Sequence, residues 1–178
     1  MRTRERVVDE ILVLAAQGRQ VDAFEELAAR WYPRLLRHAL RLTGDPEGAR
    51  EVVQETWVAI ARGLTRLHDP ARFAPWALRI TSRRCADWIG QRRAARQRSS
   101  ELDAAAEIPS PTGARTDALV RVREALRRLD REQQALMAMF YVEGLSVAEI
   151  AAALEIPVGT VKSRLYHARE RLRAATEV

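Results

Sequence analysis

The sequence predicts an all-α protein made of two small helical domains joined by a flexible linker. Three observations predict it. Of 178 residues, 47% are apolar and 30% charged, with Gly and Pro scarce at 8 and 7, and the abundance of Ala, Leu, Arg and Glu favours helix. Apolar residues recur at three- and four-residue steps in both halves of the chain, which is the helical period. Between about residues 96 and 117, in RQRSSELDAAAEIPSPTGARTD, that period is lost and Ser, Pro, Gly and acidic residues collect. The expected organisation is a domain over 1–95, a linker over 96–117 and a domain over 118–178.

At the start, Arg2, Arg4 and Arg6 lead into an apolar run, Val7, Val8 and Ile11 to Ala16, that Asp9 and Glu10 interrupt. Such a run is neither a signal peptide nor a membrane span, so the chain is expected to stay in the cytoplasm. Phe24, Leu27, Ala28, Trp31, Leu35, Ala39 and Leu42 then share one face of a long helix ending near Thr43-Gly44. Asp45 is the N-cap of the next helix and Pro46 its first residue, with Val52, Val53, Thr56, Trp57 and Ile60 as the buried stripe. Asp69-Pro70 marks a third start, and Pro75 is expected to delay regular helix until about its own position.

The helix from Pro75 carries Trp76, Ala77, Leu78, Ile80, Cys85 and Ile89 around much of its circumference, which predicts a central position. Its far end is basic: Arg79, Arg83, Arg84, Arg92, Arg93, Arg96 and Arg98 stand against Asp87 alone. A cluster of this kind is often only a solvated helix end. Here Trp76 and Trp88 interleave with it, and cations beside aromatic rings can follow a nucleic-acid backbone while the rings stack on unpaired bases. Trp76 reads as core and Trp88 as the stacking candidate.

Beyond the linker, Ala118, Leu119, Val122, Ala125, Leu126 and Leu129 form one amphipathic helix. Asp130 caps the next, with Gln133 as its capping-box partner; Leu136, Met137 and Phe140 continue the apolar face and Gly144 ends it. Ser146-Val147-Ala148-Glu149 is a second capping box, opening a short helix with Ile150, Ala151 and Leu154 inside. Glu155-Ile156-Pro157 makes a turn, and the last helix buries Val161, Leu165, Ala168 and Leu172.

At about 100° per residue, Gly159, Ser163, Tyr166, His167 and Glu170 then point away from that stripe. Lys162 and Arg173 lie on one flank, Thr160, Arg164 and Arg171 on the other. A capped short helix, a tight turn and a basic outer face make a helix-turn-helix whose last helix enters the major groove. Thr160, Lys162, Ser163, Arg164, His167 and Arg171 are the candidate DNA-binding residues. Lys162 and the arginines suit phosphates, while Ser163, Arg164 and His167 are placed for base edges.

The net charge of +6 agrees with an anionic partner. The single cysteine, Cys85, excludes an intrachain disulfide, and His38, His68 and His167 fall into no ligand spacing. No metal, cofactor or catalytic constellation is expected, and the chain does not read as an enzyme.

The segment YVEGLSVAEIAAALEIPVGTVKSRLYHARERLR, Tyr141 to Arg173, closely resembles the fourth region of bacterial sigma factors. VVQETW, Val52 to Trp57, and FAPWALRI, Phe73 to Ile80, resemble the second. Two such regions across a linker of this length resemble the extracytoplasmic-function sigma factors. The resemblance implies a promoter-specificity subunit that binds core RNA polymerase, reads the minus-35 element with its C-terminal domain and opens the minus-10 element with its N-terminal domain. It implies contact with the polymerase beta-prime clamp through Glu51, Gln54 and Glu55, minus-10 contacts by Arg79, Arg83, Trp88, Arg92 and Arg93, and an anti-sigma factor as a further partner. The chain departs from the family pattern at Arg50, where an acid is usual, and at Arg83, where Asn is common. A freestanding helix-turn-helix regulator and a protein-sequestering module are the alternatives. A receiver-type N-terminal half would alternate strands and helices, and residues 1 to 95 show no strand period.

Overall fold

The computed structural model describes residues 4–98 and 124–176, and among them every regular element is helical. The chain divides into two compact units, residues 1–102 and 103–178. In the first, α1 spans Arg4–Gln17, α2 Val21–Thr43, α3 Pro46–Gly63 and α4 Phe73–Arg98, with 3-10 turns at Leu64–Arg66 and Pro70–Arg72. In the second, residues 124–127 are helical and α5 (Arg131–Tyr141), α6 (Val147–Leu154) and α7 (Val158–Thr176) follow. The expected linker residues from 99 to 117, and Ala118, Leu119 and Val122 of the expected helix after it, lie outside the described residues.

The local signals for α2 and α3 act as their chemistry requires. Gly44 ends α2 with φ of 66°, a left-handed conformation that suits glycine, and its N–H donates to the Leu40 carbonyl. One Asp45 carboxylate oxygen then accepts from the N–H groups of Glu47 and Gly48, each at 2.9 Å, satisfying two of the donors that a helix start leaves free. Two expectations shift. Helix α4 begins at Phe73, because Pro75 falls in the first turn, where its missing N–H costs nothing. It also continues through Arg98, into the segment whose composition suggested linker.

Helix α4 packs against α1, α2 and α3, the central position its apolar circumference predicts. Trp31 and Phe73, each about 1% exposed, meet edge to face at 5.3 Å in the middle of this unit. The Asp9 that breaks the N-terminal apolar run is itself buried. Its carboxylate pairs with Arg30 at 3.1 Å and Arg34 at 3.7 Å, so the interruption ties α1 to α2. The Gln17 amide donates to the carbonyls of Leu64 and Leu67, both at 2.8 Å, anchoring the first 3-10 turn.

Two titratable groups lie deep in this unit. The His38 ring shares a 2.9 Å hydrogen bond with Ser82 of α4, and burial, reinforced by Arg41, holds it down from 6.5 to about 3. Burial alone pushes the Cys85 thiol up to about 12, leaving it protonated and unreactive.

In the second unit, Leu136, Met139, Leu145, Ile150 and Val161 are fully buried among α5, α6 and α7. Asp130 accepts from the Gln133 N–H at 2.7 Å and caps α5. The Gln133 side-chain oxygen accepts from Arg171, and this supersedes its expected capping-box role. At Ser146 the reciprocal capping box is complete: Glu149 N–H to Ser146 Oγ at 3.2 Å, and Ser146 N–H to Glu149 Oε2 at 2.7 Å.

Candidate nucleic-acid interface

Helices α6 and α7 meet through a turn in which Glu155 adopts φ of 56°, the left-handed conformation that ends α6. Ile156 N–H reaches back to the Ala151 carbonyl at 3.1 Å, and the Pro157 carbonyl accepts from Thr160 N–H at 2.9 Å, so α7 starts immediately. Val161, Leu165 and Ala168 bury one stripe of α7 against α5 and α6. Lys162, Ser163, Tyr166 and His167 are exposed on the other side. Tyr166 and His167 stand edge to face at 5.6 Å, and a side chain at Gly159 would meet nothing within 4 Å, so the backbone there is open to a ligand.

The cations of α7 divide into two groups. Lys162 has no partner among the described residues. Arg164 donates to Glu132 Oε2 of α5 at 2.8 Å. Arg171 donates to Gln133 at 3.0 Å, with Asp130 at 3.9 Å. Arg169 donates to the Tyr141 hydroxyl at 2.8 Å and lies over the Phe140 ring at 5.4 Å. Arg164, Arg169 and Arg171 are thus drawn to α5.

In the first unit, the Trp88 ring of α4 lies directly on Gly48 of α3, where any side chain would overlap it. Its indole N–H donates to Glu51 at 3.1 Å, and Arg92 covers the ring at 4.9 Å while pairing with Asp45 at 3.5 Å. Arg84 reaches Glu55 at 3.3 Å. Glu51, Glu55, Arg84, Asp87, Trp88 and Gln91 line a polar cleft of about 440 Å³ between the two helices. On another side of α3, Tyr32, Arg50, Gln54, Trp57, Val58 and Ala61 line an open, largely apolar groove of about 650 Å³.

Comparison with known families resolves what these two units are. Residues 27–95 match the family model of sigma-70 region 2 and residues 119–172 that of sigma-70, region 4. The chain is 38% identical to the ECF RNA polymerase sigma factor SigL of Mycobacterium tuberculosis over 146 residues, covering 78% of this chain and 80% of that protein. The chain belongs to the extracytoplasmic-function sigma factors. It is a sigma-70 family transcription-initiation factor, in a family that works with RNA polymerase at promoters.

SigE of Mycolicibacterium smegmatis is 32% identical over 90% of this chain, which spans 65% of that relative's length. Among solved structures, CnrH in complex with the cytosolic domain of CnrY is similar at a TM-score of 0.63 and 29% identity, over 96% of this chain and 97% of that one. RpoE from Bartonella quintana, solved with the anti-sigma factor NepR, shares the fold at a TM-score of 0.74 and 22% identity, over 89% and 99% of the two chains. No described helix of this sigma factor is long and apolar enough to cross a membrane.

The sequence-predicted site residues of the sigma factor sort unevenly. Thr160, Lys162, Ser163 and His167 lie together in the first three turns of α7, with Arg164 and Arg171 turned to α5. On α4, Arg79 and Arg83 are exposed on one side, but Trp88 lies nine residues from Arg79, about 180° around the helix. Arg92 follows Trp88, so Arg79, Arg83, Trp88, Arg92 and Arg93 do not form a single face. On α3, Glu51 and Glu55 turn to α4 while Gln54 lies in the apolar groove.

Sequence reasoning missed Gly48 as the seat of Trp88, Glu132 as the partner of Arg164, and the groove residues Tyr32, Arg50 and Val58. Arg50, Gln54, Val58 and Ala61 recur at helical spacing, and this second face of α3 was legible beside the more apolar buried stripe. The forty-residue separation of Gly48 and Trp88 offered no local signal.

Proposed function

We propose that this sigma factor recruits core RNA polymerase through region 2, reads the minus-35 element with α7, and opens the minus-10 element with the α4 side of region 2. The observation that carries the reading is the outer face of α7, where Gly159, Lys162, Ser163 and His167 stand open at the head of a helix fixed by its buried stripe. Lys162 contacts phosphate, Ser163 and His167 read base edges, and Thr160 lies beside them at the groove wall. Arg164 and Arg171 approach DNA from the flank shared with α5.

In region 2, Gln54 and its apolar groove form the surface offered to the polymerase clamp, with Glu51 and Glu55 shaping α3 from behind. Arg79, Arg83 and Arg93 track the displaced strand, while Trp88 and Arg92 brace α4 against α3. The domains follow as 1–95 for region 2 and 118–178 for region 4, with 96–117 between them. The chain acts in the cytoplasm, catalyses nothing itself and takes an anti-sigma factor as a partner, a role supported by likeness to CnrH and RpoE, which were solved with CnrY and NepR.

The test is transcription by purified core polymerase with and without the chain. Promoter-dependent initiation only in its presence is the expected outcome. Core binding without initiation at any selected promoter would overturn the reading.

A further inference from the structure

The tie between Arg164 and Glu132 has consequences for how selectively α7 holds DNA. Arg164 sits on the recognition helix one residue after Ser163, yet its guanidinium donates to Glu132 in the first turn of α5 at 2.8 Å. The side chains are 40% and 68% exposed. Two turns further along α7, Arg171 is held from the same side, by the Gln133 amide oxygen at 3.0 Å with the Asp130 carboxylate at 3.9 Å. The start of α5 therefore places two carboxylates beside the cationic flank of the helix that meets DNA.

A cation that is free to settle on any phosphate adds affinity for every sequence equally, through counterion release. A cation held by a carboxylate does so only where a phosphate comes near enough to take it. An exposed ion pair is weak enough for that exchange. On the reading of α7 as the minus-35 helix, base contacts by the outer face at a matched site hold α7 in the groove and keep a phosphate beside the half-exposed Arg164, where it displaces Glu132.

We propose that Glu132 is a specificity-determining positioning residue: it withholds Arg164 from sequence-independent phosphate binding and releases it at a matched minus-35 site. The inference rests on the reading of α7 as the minus-35 helix. Glu132 touches no base itself. It acts through the position of Arg164.

The experiment uses the full chain assembled with core RNA polymerase. Duplexes with a randomised upstream segment are selected for binding, and affinities for an enriched and a scrambled duplex are then measured over a range of salt concentrations. Glu132→Gln keeps the side-chain shape and removes the charge. It is expected to tighten binding to the scrambled duplex several-fold, to steepen its logarithmic salt dependence by about one unit, and to lower the ratio of enriched to scrambled affinity. Glu132→Asp restores much of that ratio. In an Arg164→Gln background, Glu132→Gln leaves the ratio unchanged.

An unaltered ratio for Glu132→Gln in the otherwise native chain, or an equal change in the Arg164→Gln background, would overturn the proposal, the latter reducing Glu132 to a general negative charge. Thermal unfolding of each variant separates these outcomes from loss of the α5 start. If the native holoenzyme enriches no upstream sequence, the minus-35 reading fails and this inference with it. If enrichment occurs and Glu132→Gln has no effect on it, only the inference fails.

Discussion

Helices α4 and α7 are both basic and both carry aromatic residues, yet they expose their functional side chains in different ways. Helix α7 buries one stripe, Val161, Leu165 and Ala168, so everything opposite it is outward by elimination. Helix α4 is packed by α1, α2 and α3, and it buries Phe73, Ala77, Leu78, Thr81 and Cys85. An aromatic beside arginines is therefore not equally available on the two helices. His167 and Tyr166 stand clear, whereas Trp88 is seated on Gly48, bonded to Glu51 and covered by Arg92. Exposure follows from what packs against a helix, and local charge does not reveal it.

The sharpest test of that contrast is Gly48→Ala. Its added carbon overlaps the Trp88 ring and should cost about 1–3 kcal/mol, the usual range for overpacking. Denaturant unfolding measures the loss, and a Trp88→Ala background should remove most of it. If Gly48→Ala is harmless with Trp88 present, the ring is not braced and remains a stacking candidate.

The buried contact between α2 and α4 at His38 and Ser82 should also respond to pH. Folded His38 stays neutral because its value is held near 3, while the unfolded side chain takes up a proton below 6.5. The unfolded state then binds more protons, so this contribution is complete above pH 6.5 and is lost as pH falls toward 3. The limiting slope is about 1.4 kcal/mol per pH unit. Unfolding followed across that window, with His38→Gln as the flattened reference, checks the sign. A rise in stability on acidification attributable to His38 would contradict the buried neutral ring.

In the second unit, Ser146→Ala removes the hydroxyl half of the α6 capping box and should cost about 1 kcal/mol in the melting of that unit. The smallest stability effects belong to the outer face of α7. Lys162→Ala and His167→Ala should each change unfolding by less than about 0.5 kcal/mol, while His167→Ala lowers discrimination of the minus-35 sequence. A large destabilisation from either would mean that the outer face is structural after all, and would erase the distinction between the two helices.

Much of the fold was legible because its signals are local. The caps at Asp45, Asp130 and Ser146, the stop at Gly44 and the stripes of α2, α3 and α7 each lie within a few turns of the elements they set. Helix α1 was harder to see, since Asp9 broke the apolar run. Only the arrival of Arg30 and Arg34 makes a buried carboxylate there favourable. The α4 start was misplaced because a proline in a first turn is compatible with the helix it was expected to delay.

The candidate site divides along the same line. Thr160, Lys162, Ser163 and His167 were found by helical geometry applied to one stripe, and their shared region of α7 needs no distant residue to define it. The grouping of Glu51, Gln54 and Glu55 did not hold together, because three residues on one helical segment can face two different neighbours.

The amino-acid sequence by itself determined the helix-turn-helix, for periodicity, capping and turn chemistry act over distances of a few residues and leave α7 one inward face. Tertiary structure alone decided which of its cations are held. The partners of Arg164, Arg169 and Arg171 come from α5, about thirty residues earlier, at positions that only packing brings within hydrogen-bond reach.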